Sequence, residues 1–263
     1  MRTEQITSAQ NPKFKNLLLL QEKSKARREQ GLFVVEGRRE LEHCLEAGFK
    51  VRTAFVREDL LDELESLATA AHCPIILLSP ALYAKSAYRE GTEGIIAEVE
   101  CREHRLEDLA LTENPLIMVL ESVEKPGNLG AVLRSADAAR ADAVIVCDPL
   151  TDLYNPNLIR ASLGGIFTVP TVAASSEETI AWLKARGLRI LTAQLQDSSW
   201  YYDIDMTVGT ALVMGTESTG LTDIWRRAAD AHIRIPMLGR LDSLNVSVSA
   251  AILLFEAVRQ RNA

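Results

Sequence analysis

The chain alternates between short apolar runs and longer amphipathic stretches, a pattern typical of strands separated by helices. In the first part of the chain, Gly31 and Gly48 are positioned to end the first two predicted helices. The pattern predicts helices over 13–28, 38–47, 59–71 and 80–87, and strands over 32–35, 51–56, 75–78 and 94–99. Strands that alternate with helices of about ten residues predict a small α/β domain with a largely parallel sheet.

A second α/β run opens at Pro115, after a polar and charge-rich stretch. The pattern predicts strands over 116–120, 143–147, 188–193, 211–214 and 232–236, and helices over 129–139, 157–163, 176–186, 223–228 and 246–259. A chain of 263 residues is long enough for two domains of ordinary size. We therefore predict a first domain over 1–105, a linker over 106–114 and a second domain over 115–263.

Composition narrows the class of protein. A hydrophobic fraction of 47% and a charged fraction of 25% are typical of globular proteins. The longest apolar run near the start, 17–20, falls far short of the roughly 18 residues that span a membrane. The start of the chain also lacks the apolar segment and cleavage site of a signal peptide. We expect a cytoplasmic protein with no membrane partner.

The cysteines and histidines do not indicate a metal site. The chain has four of each, and no two cysteines have the C-x-x-C spacing of zinc ligands. We expect no metal, and we interpret the cysteines as reduced thiols that fill the core.

Charge is distributed unevenly along the chain. Residues 1–39 hold nine Lys or Arg against four acids, a net charge of +5, whereas the whole chain is −7, so the remainder carries −12. A basic end on an acidic body suits contact with phosphates at one place. A solvated helix face explains the same cations equally well. Under the first hypothesis, Lys23, Lys25, Arg27 and Arg28 contribute to RNA binding.

The first candidate ligand-binding turn follows the strand predicted over 116–120. Residues 121–130 read Glu-Ser-Val-Glu-Lys-Pro-Gly-Asn-Leu-Gly and run into a helix. A strand-to-helix turn of this kind exposes backbone N–H groups that favour an anionic or polar ligand. Arg134 lies six residues after Asn128, so we expect it to face the same cleft. A structural alternative pairs Arg134 with Asp137.

The second candidate turn follows the strand predicted over 211–214. Gly215 and Gly220 flank Glu217, and glycine permits a ligand to approach the backbone closely. Glu217 either contacts a ligand or caps the next helix.

The third candidate segment joins Ile235-Pro-Met to Ser243-Leu-Asn-Val-Ser-Val-Ser-Ala, at the start of the last helix. An N-cap role for Ser243 is the simplest interpretation. However, Asn245 and the serines that follow it add more polar groups than the start of a helix requires.

Together these segments resemble the three motifs of the SpoU (TrmH-like) branch of the SPOUT superfamily, whose members are RNA 2′-O-ribose methyltransferases. The matching residues occur in the family's order: Asn128 with Arg134, Gly215 with Glu217 and Gly220, and Ile235-Pro-Met with Ser243 and Asn245. The turn departs slightly from the family at Lys125-Pro-Gly, where many relatives have an acid and a proline. The first domain resembles, less specifically, the ribosomal-protein-like RNA-binding domain of many members, through Asn11-Pro and Phe33-Val-Val-Glu-Gly.

The resemblance implies a fold that periodicity does not predict. Family members have an α/β sheet whose last part passes through a loop and forms a deep trefoil knot, a feature almost absent from other proteins. They are homodimers, and here the last helix offers the apolar residues Val248, Ile252, Leu253 and Phe255. They bind S-adenosylmethionine in a bent form within the knot. Carried onto this chain, the cofactor lies against the backbone at Thr192, Gly215, Ile235 and Leu244.

The resemblance also implies the reaction, which is methyl transfer to a ribose 2′-hydroxyl in structured RNA, with ribosomal RNA favoured over transfer RNA. It assigns activation of the hydroxyl to Arg134, and organisation of the site to Asn128, Glu217, Ser243 and Asn245. Because arginine stays protonated, we expect Arg134 to orient an RNA phosphate and stabilise the forming alkoxide. A phosphate oxygen or Glu217 then accepts the proton.

Two other functions are compatible with parts of the sequence. A dinucleotide-dependent oxidoreductase would use Gly127 and Gly130 after a strand and Asp148 after the next, but G-x-G-x-x-G is not present. An RNA-binding or ribosome-associated module without activity would be indicated by loss of Asn128, Arg134 or Asn245, and all three are present.

Overall fold

A computed structural model describes residues 3–88, 93–216 and 218–262. The chain forms two compact units, one made of Met1–Arg102 with Asp152–Phe167 and the other of Glu103–Thr151 with Thr168–Ala263. The sequence places 152–167 in the second domain, whereas in the structure this segment belongs to the first unit.

The segment joins the first unit through aromatic packing. The rings of Phe33 and Tyr154 stack with centroids 4.2 Å apart, and Phe49 and Phe167 meet edge to face at 5.3 Å. Aromatic rings bury a large apolar area, which favours this arrangement. Hydrophobic periodicity reports that a residue is buried but not which unit it contacts, so the sequence did not predict this segment's partner.

The first unit is built around a mixed five-stranded sheet. Its elements up to residue 100 are β1 (Thr3–Ile6), α1 (Pro12–Glu22), α2 (Ser24–Gln30), β2 (Leu32–Glu36), α3 (Arg38–Glu46), β3 (Val51–Arg57), α4 (Leu61–Ala70), β4 (Ile75–Leu78), α5 (Pro80–Ser86) and β5 (Ile95–Glu100). The strand order is β1-β4-β3-β5-β2, with β4 parallel to β1 and β3, and β5 antiparallel to β3 and β2. The prediction of a largely parallel sheet was wrong, because alternating strands and helices do not fix the direction in which a strand returns.

Two further differences concern the start of the first unit. The helix predicted over 13–28 is broken at Lys23, whose backbone is extended with φ −111° and ψ 110°. Strand β1 was not predicted, because only Ile6 of its four residues is buried and so the strand has little apolar signal. Gly31 ends α2 as expected, in the left-handed conformation at φ 62°.

Arg27 is buried in the first unit and does not lie on a basic surface. It is 3% exposed. Its Nε donates to Asp152 Oδ2 at 2.6 Å and its Nη1 donates to the Leu20 carbonyl at 2.6 Å. A buried charge requires such partners. The hypothesis that Arg27 binds RNA is therefore corrected, whereas Lys23, Lys25 and Arg28 are exposed.

The second unit is built around a seven-stranded sheet in which all neighbours are parallel, in the order β10-β12-β9-β11-β6-β7-β8. The remaining elements are, in chain order, β6 (Leu116–Glu121), α6 (Pro126–Ala138), β7 (Ala143–Cys147), α7 (Pro156–Ser162), α8 (Gly165–Thr168), β8 (Thr171–Ala174), α9 (Ser176–Ala185), β9 (Arg189–Ala193), β10 (Ser199–Trp200), β11 (Thr210–Met214), α10 (Asp223–Ala228), β12 (Ala231–Arg234) and α11 (Val246–Arg261). Strands β8 and β10 and helix α8 were not predicted, since each is four residues or shorter.

Both faces of the central strands are buried. All residues of β6, β7 and β11 are inaccessible to solvent, as expected of a parallel sheet covered by helices on both sides. Alternate residues such as Ile117, Val119 and Val213 share one core with Trp182 and Trp225. On the sheet, α11 packs against α6, β6 and β11.

The predicted linker over 106–114 is part of the second unit. Leu106 is buried in that unit's core, and Leu109 and Leu111 pack against it. Within the described ranges, no helix is both long and apolar enough to cross a membrane.

Candidate active site at the carboxyl edge of the second sheet

The three candidate segments leave neighbouring strands at one edge of the sheet. The first follows β6, the second follows β11 and the third follows β12, while β9 lies between β11 and β12. Because these strands are parallel, their carboxyl ends lie at the same edge. Ligands of parallel α/β sheets bind at that edge.

Gly215 is required by the way the second segment folds back. A Cβ atom at this position would lie 2.2 Å from the Gly220 carbonyl oxygen, far inside van der Waals contact. The Gly220 N–H donates to the Thr216 carbonyl at 3.1 Å, which closes the turn. The turn thus presents backbone where any side chain at 215 would displace it.

This turn forms one wall of a cavity of about 370 Å³. Four of the predicted site residues line it, namely Gly215, Ile235, Ser243 and Leu244. Its volume lies in the range of roughly 300–1,000 Å³ typical of small-molecule sites. The walls combine apolar side chains with polar ones, the latter including Gln194, Arg226, Arg234 and Asp242. The cavity therefore suits a ligand such as S-adenosylmethionine, which has both apolar and charged parts.

A hydrogen bond joins the first and third segments. The Asn245 Nδ2 group donates to Asn128 Oδ1 at 3.1 Å. Asn245 is also the N-cap of α11, since its Oδ1 accepts from the Ser247 N–H at 3.0 Å and from the Ser247 hydroxyl at 2.6 Å. The interpretation of Ser243 as N-cap is wrong. The Ser243 hydroxyl donates to Asp242 Oδ1 at 3.2 Å.

Thr192, Arg134 and Glu217 are not placed among the cavity residues. Thr192 has no exposed surface, and its Oγ1 lies 2.6 Å from His232 Nδ1. The residues that follow it, 193–196, line the cavity instead. Glu217 falls outside the described residues.

Arg134 is exposed on α6, and none of the ion pairs between described residues includes it. Asp137, its alternative partner, instead accepts a hydrogen bond of 2.5 Å from the Thr168 hydroxyl. The guanidinium is therefore accessible to a substrate.

The sequence did not identify Glu121 as a site residue. Glu121 ends β6 and is 3% exposed. Its carboxylate accepts from the Thr222 N–H at 2.8 Å and from the Thr222 hydroxyl at 2.5 Å. Thr222 is the N-cap residue of α10, just after the turn at 215–220. An acid at the end of an otherwise apolar strand was the available signal.

The neighbouring Asp148 has a structural role. Its Oδ2 accepts from the Ser176 hydroxyl at 2.6 Å and from the Ser176 N–H at 3.2 Å, at the start of α9. Ser176 in turn accepts from Trp225 Nε1 at 3.0 Å. This network uses the carboxylate that the oxidoreductase hypothesis required for a ribose.

The histidines, cysteines and acids of the described ranges do not form a cluster of three or more that could hold a metal ion. Burial raises the pKa of the Cys44 and Cys147 thiols to about 12, so they are protonated core side chains.

Comparison with known proteins assigns the chain to a family. Residues 115–255, more than half of the chain, match the SpoU rRNA Methylase family, and residues 11–97 match an MRM3-like substrate binding domain. A 23S rRNA (uridine(2479)-2'-O)-methyltransferase from Streptomyces viridochromogenes is 32% identical, covering 97% of this chain and 92% of its own.

Solved structures agree. The crystal structure of an RNA 2'-O ribose methyltransferase is 42% identical, with a TM-score of 0.85 over 98% of this chain and 100% of its own. An AdoMet-bound rRNA methyltransferase from Sinorhizobium meliloti is 30% identical, with a TM-score of 0.90 over 98% of each chain. From the three motif segments, their convergence at one sheet edge and these similarities, we conclude that the chain belongs to the SpoU rRNA methylase family.

Proposed function

We propose that this protein transfers a methyl group from S-adenosylmethionine to a ribose 2′-hydroxyl of ribosomal RNA. The observation that carries the proposal is the cavity bounded by the second and third motif segments, with the first segment joined to the third by the Asn128–Asn245 hydrogen bond. The similar protein from Streptomyces viridochromogenes is named for this reaction on 23S rRNA.

The cavity residues divide the work of holding the cofactor. The turn at Gly215 presents backbone to the ligand, and Ile235 and Leu244 supply apolar walls. Thr192 would act through the end of β9, since its own side chain is buried. When bound, S-adenosylmethionine supplies a methyl group that is already activated for transfer, so the protein's task is positioning.

On the RNA side, Arg134 would bind the phosphate beside the target ribose and stabilise negative charge on the attacking oxygen. The exposed guanidinium has the planar donors that such contacts need. Asn128 and Asn245 would hold the two motif segments in register, and Ser243 would lie beside the cofactor. Glu217 or a phosphate oxygen would accept the hydroxyl proton.

The first unit would bind the RNA substrate. Its match to a substrate-binding domain over 11–97 supports this role. Lys23, Lys25 and Arg28 are exposed and available for phosphates, although Lys25 also lies 3.7 Å from Glu29. Phosphate contacts of this kind make affinity depend on salt.

We also propose a trefoil knot, a homodimer and a cytoplasmic location. The all-parallel sheet and the similarity to SpoU structures support the knot. On α11, Val248 and Phe255 are 47% and 48% exposed, and Ile252 lies between them at helical spacing. This apolar face suits a second copy of the chain, whereas Leu253 is buried in the unit's own core. A ribosomal RNA substrate supports the cytoplasm.

The test is to map 2′-O-methylation across ribosomal RNA from cells with and without the gene, and to restore it with purified protein and S-adenosylmethionine. We expect one ribose to lose its methyl group and regain it. Unchanged methylation together with retained RNA binding would support an inactive RNA-binding module. Binding of a nicotinamide dinucleotide instead of S-adenosylmethionine would support the oxidoreductase.

A further inference from the structure

Two polar side-chain atoms of cavity residues are buried without a hydrogen-bond partner in the part of the chain that the structure describes. They are Nε of Arg226 and Oε1 of Gln194. One is a donor on a cation and the other is a carbonyl acceptor. Burial without a partner costs free energy, so a ligand that supplies both partners gains affinity.

Arg226 lies on α10, directly after the turn that carries Gly215 and Gly220. Its Nη1 is 3.9 Å from Asp223 Oδ1, beyond hydrogen-bond distance, and Asp223 is exposed. A second arginine, Arg234, also lines the cavity, but its Nη1 donates to the carbonyl and the hydroxyl of Ser198. Arg226 is thus the better candidate for an anionic ligand group.

Gln194 follows β9 and is held in a fixed orientation. Its backbone N–H donates to the Ile233 carbonyl at 3.0 Å, and its Nε2 donates to the Gln196 carbonyl at 2.9 Å. Because the amide nitrogen is engaged, the oxygen Oε1 remains as an acceptor.

We propose that Arg226 and Gln194 bind the amino-acid end of S-adenosylmethionine, with Arg226 donating to the α-carboxylate and Gln194 Oε1 accepting from the α-ammonium. The assignment rests on the proposed function, which places this cofactor in the cavity. A zwitterion is the part of the cofactor that carries both an anion and a cationic donor. Adenine and ribose are neutral there and offer Arg226 no opposite charge.

The test compares three probes by calorimetry on the full chain. They are S-adenosylhomocysteine, its decarboxylated analogue and 5′-methylthioadenosine, which lacks the amino-acid end. We expect the wild-type protein to bind S-adenosylhomocysteine at least about tenfold more tightly than the decarboxylated analogue, as charge-assisted hydrogen bonds do. In Arg226→Met this preference should disappear, while the affinity for 5′-methylthioadenosine stays unchanged. In Gln194→Leu, binding of S-adenosylhomocysteine should weaken while that of a deaminated analogue does not.

Arg227→Met is the matched control. Arg227 is the next residue on α10, is exposed and donates from Nε to the Asp223 carbonyl at 3.3 Å. We expect it to bind all three probes as the wild type does.

The outcomes separate this assignment from the proposed function. If Arg226→Met weakens all three probes equally, Arg226 supports the turn and the assignment is wrong. Wild-type protein that binds the probes without preferring the carboxylate also overturns the assignment alone. Wild-type protein that binds none of them overturns the proposed function as well.

Discussion

Asn245 donates a hydrogen bond from Nδ2 to Asn128 Oδ1 at 3.1 Å, across 117 residues of sequence. The same Asn245 caps α11 through its Oδ1, so one side chain starts the last helix and fixes that helix to the first motif. An asparagine is suited to both contacts because its amide carries an acceptor and two donors. The two functions of this side chain can be separated by mutation.

We predict that Asn245→Asp reduces methyl transfer with little loss of stability. The aspartate keeps the oxygen that caps α11, but it has no N–H for Asn128 and places a carboxylate beside the Asn128 oxygen. We expect single-turnover methyl transfer to fall about tenfold or more, which corresponds to about 1.4 kcal/mol in the barrier. Asn245→Ala should in addition lower the unfolding temperature, because the cap is lost at a cost of about 1 kcal/mol. Normal turnover in Asn245→Asp would show that the bond is incidental.

We predict that Arg134→Ala abolishes methyl transfer and leaves S-adenosylmethionine affinity nearly intact. Arg134 is exposed on α6 and does not line the cavity, so its loss should affect the transition state more than cofactor binding. Lys should rescue poorly, since an ammonium lacks the planar fork of donors. Leu244→Ala is the contrasting variant, because Leu244 lines the cavity and should affect cofactor binding first. Near-normal turnover of Arg134→Ala on the true RNA would contradict the assignment.

The strands of the second sheet were predictable because their apolar runs are continuous and both faces are covered. Once these strands are parallel, their carboxyl ends meet, and the motif residues that follow them must be near one another. For this reason the wall formed by Gly215, Ile235 and Leu244 could be predicted without coordinates.

Other features depend on contacts that a pattern does not encode. Arg27 reads as a surface cation among other cations, but it is buried because Asp152, distant in sequence, pairs with it. Asn245 rather than Ser243 caps α11, since the cap depends on where the backbone turns into the helix. Strand β10 is two exposed residues and has no apolar signal.

We predict that Asp152→Ala strongly destabilises the first unit. Arg27 would remain buried with only carbonyl partners, and an uncompensated buried charge typically costs about 3–5 kcal/mol. Urea unfolding of the full chain measures the effect. Glu29→Gln is the control, because it breaks the exposed Lys25–Glu29 pair, which should be worth less than about 1 kcal/mol. Equal effects of the two variants would mean that burial of Arg27 does not matter.

We predict that Glu98→Gln stabilises the protein near neutral pH. Glu98 is 6% exposed on β5, and burial raises its pKa above the ordinary value of 4.5, while Asn16 donates to it at 3.2 Å. The folded state therefore holds this proton to higher pH than the unfolded state does. Its contribution to stability is greatest below about pH 4.5 and is lost as the pH rises through the folded pKa. Denaturant unfolding should show the variant's advantage at about pH 7 and its disappearance at about pH 4. An advantage independent of pH would contradict this explanation.

We predict that Glu121→Gln weakens cofactor binding without touching the cofactor. The buried carboxylate accepts both the N–H and the hydroxyl of Thr222, so an amide in its place loses one acceptor and turns a donor towards Thr222. Because Thr222 follows the turn at Gly215, we expect that turn to shift and the affinity for S-adenosylhomocysteine to fall about tenfold, a change worth about 1.4 kcal/mol. Thr222→Val removes the hydroxyl partner, so the double variant should lose less than the two single effects added together. Glu124→Gln, exposed in the same segment, is the control for charge alone. Additive losses in the double variant, or an equal loss in Glu124→Gln, would show that Glu121 does not position the turn through Thr222.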